Sequence, residues 1–150
     1  RDKKKYDREY MQRLRERQAN GEWTWRQIQA LNAHLGWQDP DTKCIYWNGA
    51  HTESHPDDMK ARPVFQTMAA YKAAWLINQF LSAGKPVPWP KDENGNPLDA
   101  AHLCRTYWCS NFAHTRPMTF EEHRAYDGEE QESPELTPDE LARLALPDPF

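Results

Sequence analysis

Cysteine is scarce in this sequence, and long apolar runs are missing. The chain has three cysteines in 150 residues, and an odd number argues against a disulfide framework. No apolar run approaches the roughly 20 residues that a membrane-spanning helix needs. The basic start, RDKKKYDREY, also lacks the pattern of a signal peptide. We therefore expect no membrane partner and a reducing, cytoplasmic setting.

Apolar residues are few for a compact fold, which limits the size of the core. Hydrophobic residues make up 38% of the chain and charged residues 28%, and the mean hydropathy is -1.04. Such a chain suits one modest domain with polar arms. Because a small core rarely stabilises a fold alone, we expect an additional staple such as a bound metal ion.

The net charge of -4 hides two ends of opposite sign. Residues 1–17 contain eight lysines or arginines and four acids, whereas residues 121–150 contain ten acids and two arginines. The basic end can contact the phosphates of a nucleic acid or be an ordinary solvated helix. The acidic end can dock onto a protein partner or only keep the chain soluble. The composition leaves these alternatives open.

Four stretches have the periodicity of helices. They are residues 1–19, 25–35, 66–83 and 119–126. Thr24 and Thr119 are the expected N-caps, and Gly84 is the expected C-cap of the third helix. In the second and third helices, the predicted core-facing residues are Trp25, Ile28, Leu31, Leu35, Met68, Tyr71, Ala74, Trp75, Ile77 and Leu81.

Short strands are predicted between these helices, which gives an α+β fold. Residues 44–47 and 63–65 have strand character. The Asn94-Gly95 turn predicts a hairpin between the extended residues 85–90 and a strand over residues 98–103. The predicted divisions of the chain are an N-terminal helical arm (1–40), a central domain (41–127) and an acidic, proline-containing tail (128–150).

Cysteine and histidine cluster in one part of the sequence, and their spacing predicts a metal site. Four residues separate Cys104 from Cys109 and Cys109 from His114, and Cys44 is the one cysteine outside this stretch. Thiolate and imidazole are the ligands that a structural zinc ion prefers, and these residues would complete a tetrahedron. The alternative is three free cysteines buried as small hydrophobic side chains.

The same stretch resembles a known family. Bacteriophage-type HNH endonucleases carry a run of the form D-H-L-C-x4-C-x-N-P-x-H-L-x-P-V-T-x-x-E-N and, upstream of it, C-x-x-W-x-G-A. The matching residues here are Cys44, Trp47, Gly49, Ala50, His102, Leu103, Cys104, Cys109, Asn111, His114, Pro117, Thr119 and Glu122. The resemblance covers roughly residues 44–123, and the N-terminal helices and the acidic tail lie outside it.

The resemblance implies a small ββα-metal core stapled by zinc, in which a β-hairpin and a helix hold one divalent cation, Mg2+ or Mn2+. It implies an enzyme, phage-encoded and acting in the host cell, that nicks or cuts DNA by hydrolysing phosphodiester bonds. His102 matches the general base, which takes a proton from the attacking water. His123 matches the helix position that ligates the cation. His114 is assigned to zinc, and Asn111 is expected to orient the loop through hydrogen bonds.

One departure from the family pattern concerns the residue before the base. The family has an acid there that ligates the cation, whereas this chain has Ala101. Asp99 shares a strand face with that position, and Asp127 shares a helix face with His123, so either carboxylate is a candidate replacement. The alternative function is a catalytically inactive, zinc-stapled binding protein, such as a phage structural or regulatory component.

Overall fold

The fold mixes helices with small antiparallel sheets. The computed structural model describes residues 3–52, 62–106 and 108–132. The helices are α1 (Lys3–Ala19), α2 (Trp25–His34), α3 (Ala70–Ala83) and α4 (Phe120–Glu132). The strands are β1 (Leu35–Gln38), β2 (Ile45–Trp47), β3 (Val64–Phe65), β4 (Met68–Ala69), β5 (Asp99–His102) and β6 (Thr115–Met118). Within the described ranges they form three two-stranded sheets, β1–β2, β3–β4 and β5–β6, so the predicted α+β class is confirmed.

The predicted caps begin α2 and α4. The Thr24 hydroxyl accepts a hydrogen bond from the Gln27 amide, and the Gln27 side chain accepts one from the Thr24 amide. Thr119 and Glu122 make the same reciprocal pair at the start of α4, at 2.9 and 3.1 Å. These capping boxes satisfy amide donors that a helix start would otherwise leave unpaired.

Helix α3 begins later than its apolar pattern predicts. Residues 66 and 67 form a tight turn instead, and the next two residues form β4, in which Met68 pairs with Phe65 of β3. Gln66 adopts a left-handed backbone with a φ of 55°, which a helix cannot continue. The end of the helix is as predicted, because Gly84 has a φ of 69° and its amide hydrogen bonds to the Phe80 carbonyl.

The main core is built around α3. Its buried members are Trp23, Ile28, Leu31, Trp47, Phe65, Ala70, Ala73, Ala74, Leu76, Ile77 and Trp89. Two predicted core residues are wrong, since Trp25 is 65% exposed at the first position of α2 and Leu81 is 43% exposed in the last turn of α3. Helix ends project past the core, so periodicity alone does not bury them.

The predicted hairpin between residues 85–90 and 98–103 is wrong. Strand β5 pairs instead with β6, in the register Asp99 to Met118 and His102 to Thr115. The Asn94-Gly95 turn closes an isolated bridge between Lys91 and Pro97, and one hydrogen bond beyond it, from the Leu98 amide to the Pro90 carbonyl, joins the two predicted segments. Prolines recur through residues 85–90, and a proline has no amide to donate to a strand ladder.

Helix α4 follows the β5–β6 hairpin and packs on it. Ala101, Leu103 and Met118 form a second, smaller core cluster, against which Tyr126 of α4 packs. The Tyr126 hydroxyl also donates a hydrogen bond to the Leu103 carbonyl. The chain therefore has a strand–strand–helix unit in sequence order, and this unit carries the candidate site.

Helix α1 is exposed along nearly all of its length. It is held at its C-terminal end by Gln18, whose fully buried side chain hydrogen bonds to Gln66 and Thr67. None of the helices described combines the length and the apolar character that crossing a bilayer requires. The predicted tail from residue 133 onward lies outside the described residues.

Candidate metal centres

Four predicted zinc ligands meet in one buried cluster. The ligand atoms of Cys44, Cys104, Cys109 and His114 all lie within 4.8 Å of one another. The Nδ1 atom of His114 is 3.6 Å from the Sγ atom of Cys44 and 3.4 Å from that of Cys109. All but Cys104, which is half-buried, are fully enclosed. Cys44 is thus a neighbour of three residues that lie 60 or more positions further along the chain.

The dimensions of this cluster fit a tetrahedral zinc ion. Zinc–sulfur and zinc–nitrogen bonds of about 2.3 and 2.0 Å at tetrahedral angles place sulfur and nitrogen ligands about 3.5 Å apart. The two sulfur–nitrogen distances, 3.6 and 3.4 Å, agree with that value. Three thiols and one imidazole are also a donor set that structural zinc sites use. The cluster could therefore hold a metal ion such as zinc.

The charge state of the thiols is consistent with a cation site. Hydrogen bonds from the thiols of Cys104 and Cys109 lower the pKa of Cys44 far below its ordinary value. Burial raises the pKa of Cys109. A bound divalent cation would deprotonate the thiols that coordinate it.

Local structure brings these ligands into position. Cys44 immediately precedes β2, while Cys109 forms a bridge with Tyr46 of that strand. His114 ends the short 3-10 helix Phe112–His114. Asn111 caps this helix with its side-chain oxygen, and its side-chain amide donates to the Lys43 carbonyl at 2.8 Å. Asn111 therefore positions the ligand loop against the segment that carries Cys44.

A second group of polar residues meets between β5 and α4. The Nδ1 atom of His123 is 3.1 Å from a carboxylate oxygen of Asp99, and its Nε2 atom is 3.5 Å from a carboxylate oxygen of Asp127. The two carboxylates that were candidates to replace the missing acid at residue 101 thus both reach His123. His123 is partly exposed, so the group is accessible to water and to a substrate.

The arrangement places one carboxylate at each nitrogen of the His123 ring. In the part of the chain that the structure describes, the cysteine cluster is the only group of three or more ligand atoms within mutual reach. A cation at His123 would therefore bind at one ring nitrogen, with Asp99 or Asp127 beside it. Mn2+ accepts a mixture of carboxylate and imidazole donors more readily than Mg2+ does, because Mg2+ prefers oxygen ligands alone.

His102 is tied to the cysteine cluster through the backbone. Its Nε2 atom lies 3.0 Å from the carbonyl oxygen of Cys109, so this nitrogen carries a proton and donates it. The ring of Tyr71 packs across it, with centroids 4.1 Å apart. Burial lowers the pKa of His102 to about 4, and the positive charge of Arg62 contributes to the shift. The ring is therefore neutral at pH 7, with its free lone pair on Nδ1.

His102 and the His123 group lie on opposite faces of β5. Successive side chains of a strand alternate between faces, so Asp99 and Ala101 share one face and His102 belongs to the other. Ala101 is fully buried against the small cluster beneath α4, and His102 packs on Tyr71 of α3. The strand end thus separates a neutral imidazole on one side from a carboxylate–imidazole pair on the other.

Sequence reasoning did not find the neighbours of His102. Tyr71 has the pattern of an ordinary core residue of α3, and nothing in the sequence signals that it covers a candidate base. Arg62 follows residues whose placement is not described, and it has no motif around it. Both contacts depend on tertiary packing between distant segments.

Known proteins offer no match to this chain. No family model matches it, and searches of curated proteins and of solved structures also found nothing similar. The functional assignment therefore depends on the geometry of the two clusters and of His102.

Proposed function

We propose that the chain is a metal-dependent endonuclease of the HNH type, which hydrolyses phosphodiester bonds of DNA. The observation that carries the proposal is the strand–strand–helix unit. In this unit His102 ends β5, while His123 of α4 lies 3.1 Å from Asp99 of the same strand. A neutral imidazole on one face of β5 and a carboxylate–imidazole pair on the other would supply the base and the cation ligands that a one-metal hydrolase needs.

His102 acts as the general base in this proposal. Because its Nε2 proton is held by the Cys109 carbonyl, the lone pair on Nδ1 is the one that accepts a proton. Nδ1 takes a proton from a water molecule, and the oxygen of that water attacks the phosphorus atom. The bond from phosphorus to the 3′ oxygen breaks, and the leaving oxygen takes a proton from solvent. The products are a 5′-phosphate and a 3′-hydroxyl.

His123 holds the cation, Mg2+ or Mn2+, with Asp99 or Asp127 as its partner. A divalent cation bound there would stabilise the negative charge that develops on the phosphate and on the leaving oxygen. In this proposal Asp99 replaces the acidic cation ligand that the family has at the position of Ala101. The scissile phosphate would lie at the end of β5, with the base on one face of the strand and the cation on the other.

The Cys3His cluster supplies rigidity in this proposal and takes no part in the reaction. It fixes the position of the Cys109 carbonyl, and this carbonyl accepts a 3.0 Å hydrogen bond from the His102 ring. Asn111 fixes the same loop from the other side. A zinc ion there would orient the base, since any shift of the ligand loop would move the carbonyl that anchors it.

A second candidate is a zinc-stapled binding protein without catalysis. The observation that favours it is Ala101, which is fully buried and offers no ligand. Both candidates predict a zinc-bound, folded domain. Only the endonuclease predicts DNA cleavage that requires a second divalent cation.

Conversion of supercoiled plasmid to nicked or linear forms tests the proposal. We expect cleavage with Mn2+ or Mg2+, and His102→Ala should lower the rate by about 10²–10⁴-fold because the general base is lost. His123→Ala should require a higher concentration of divalent cation. His34→Ala is the matched control, since His34 is exposed on α2 and should cut as the wild type does.

The zinc content of each variant shows whether lost cleavage is due to loss of the general base or to loss of folding. Equal zinc in wild type and His102→Ala, together with unequal cleavage, would support the assigned base. Cleavage that survives His102→Ala would contradict it. No cleavage by zinc-bound wild type with any divalent cation would favour the binding protein instead.

A further inference from the structure

A groove beside α3 has no role in the proposed reaction. It encloses about 600 Å³ between the end of α1 and the extended segment that follows α3. Its walls are rigid, because they include Trp89 and three prolines, Pro88, Pro90 and Pro97. Two lysines, Lys72 and Lys91, line it, and none of its lining residues within the described part of the chain is a carboxylate. The groove is therefore positively charged.

Lys72 is unusual for a lysine. It is half-buried on α3, and its ammonium lies 4.7 Å from the centroid of the Trp89 ring. Burial lowers its pKa, and no carboxylate forms an ion pair with it among the described residues. A partly desolvated cation without an opposite charge is costly, and an anionic ligand would compensate it.

Two links in the structure connect the groove with the candidate active site. Lys72 follows Tyr71, whose ring packs on that of His102 at 4.1 Å. The Trp89 indole donates a 2.7 Å hydrogen bond to the carbonyl of Leu98, the residue before Asp99. Lys72 is therefore one residue along the chain from the neighbour of the base, and the segment that carries Lys91 is joined through Trp89 to the residue before β5.

We propose that Lys72 and Lys91 bind backbone phosphates of the DNA that flanks the cleavage site. This inference rests on the proposed function, since the phosphates are those of its substrate. The argument for DNA is charge complementarity in an open groove whose wall is hydrogen bonded to the residue before the reacting strand. Lysine ammonium groups bind phosphates as point charges and need no base sequence.

The salt dependence of DNA binding tests this site. The probe is a fluorescent 20-base-pair duplex, titrated with full-length protein carrying His102→Ala so that it is not cut. Each lost phosphate contact lowers the slope of log K against log salt by about 0.9. Lys72→Met and Lys91→Met should each produce that loss, and the double variant a loss of about 1.8.

The control is Lys85→Met, which removes an exposed lysine of the same segment outside the groove. Methionine keeps most of the Lys72 stem packed on Trp89, and Lys72→Arg should restore the slope because it restores the charge. Zinc content again reports on the fold. Equal slopes for Lys72→Met and Lys85→Met would overturn the inference.

Two further outcomes separate the groove from the proposed reaction. A protein that binds DNA through Lys72 but never nicks plasmid would leave the groove standing and remove the endonuclease. If the protein nicks plasmid and the double variant has an unchanged salt slope, the endonuclease is supported and the phosphate-binding groove is rejected. A third outcome concerns a small ligand. A free mononucleotide could quench tryptophan fluorescence only when Lys72 is present, while Lys72→Met leaves DNA binding unchanged. This result would also overturn the inference, because the groove would then bind a small ligand and not DNA.

Discussion

At the scale of single residues, Asn111 joins two segments that are distant in sequence. It is fully buried, its amide donates to the Lys43 carbonyl at 2.8 Å, and its oxygen accepts from the Ala113 amide at 3.0 Å. Asn111→Ala takes these hydrogen bonds from two partly buried backbone groups, the Lys43 carbonyl and the Ala113 amide. We expect the free energy of unfolding to fall by about 2–4 kcal/mol, measured by urea denaturation in the presence of zinc.

Asn96→Ala is the comparison for this variant, because Asn96 is exposed in the turn before β5. Its free energy of unfolding should stay within about 0.5 kcal/mol of the wild type. If both variants lose the same stability, the hydrogen bonds of Asn111 do not hold the ligand loop.

Some residue contacts follow from sequence spacing and others do not. Cys104, Cys109 and His114 lie close in sequence, so their meeting requires only a local loop. Periodicity put Asp99 on the strand face of residue 101 and Asp127 on the helix face of His123, but the pairing of that strand with that helix was expected only from the family resemblance. The packing of Tyr71 on His102 was not foreseeable, because it depends on how α3 sits against β5.

At the scale of elements, the junction after α1 depends on a single glycine. Gly21 has a φ of 80°, and a Cβ at this position would overlap the backbone of Val87. The Ala19 carbonyl accepts a 2.9 Å hydrogen bond from the Trp89 amide in the same junction. We expect Gly21→Ala to lower the free energy of unfolding by about 3 kcal/mol or more, since strain and overlap add.

Gly84→Ala separates these two causes. Gly84 has a similar φ of 69°, but no atom of the described residues lies within 4 Å of the position that a Cβ would take. Only backbone strain remains, so thermal or urea unfolding should show a loss of about 1–2 kcal/mol. Equal losses in the two variants would mean that the close approach of Val87 has no energetic consequence.

Helix α4 carries His123 and Asp127, and its start is set by Thr119. The Thr119 hydroxyl accepts a 3.1 Å hydrogen bond from the Glu122 amide. Thr119→Ala removes this cap, and we expect a loss of about 1 kcal/mol in the free energy of unfolding. Thr119→Ser keeps the hydroxyl and should retain the wild-type stability; a loss as large as that of alanine would show that the cap bond is not the cause.

Elements were predictable where local chemistry decides them. The caps at Thr24, Thr119 and Gly84 were found because a cap needs only neighbours in sequence. The partner of β5 was missed because strand pairing is a tertiary choice, and the nearer candidate, residues 85–90, is too rich in proline to donate a ladder of hydrogen bonds.

At the scale of the whole molecule, the polar composition leaves few residues for a core, and the metal cluster adds a further link between separate parts of the chain. The larger core gathers around α3, whereas the β5–β6–α4 unit has only a small cluster of its own. The Cys3His cluster links the segment before β2 to the loop between β5 and β6. It therefore joins the part of the chain with the larger core to the part that carries the candidate site.

Removal of the metal should consequently unfold more than the ligand loop. Structural zinc contributes roughly 10 kcal/mol or more to the folding of small domains, which is comparable to the whole stability of a typical one. We expect a strong chelator to abolish the near-ultraviolet circular dichroism of the buried tryptophans, and added zinc, but not magnesium, to restore it. Cys44→Ser should reproduce the loss, whereas His123→Ala should keep both zinc and signal, because His123 lies outside the cysteine cluster. An unchanged spectrum after complete loss of zinc would show that the two parts hold together without the cluster.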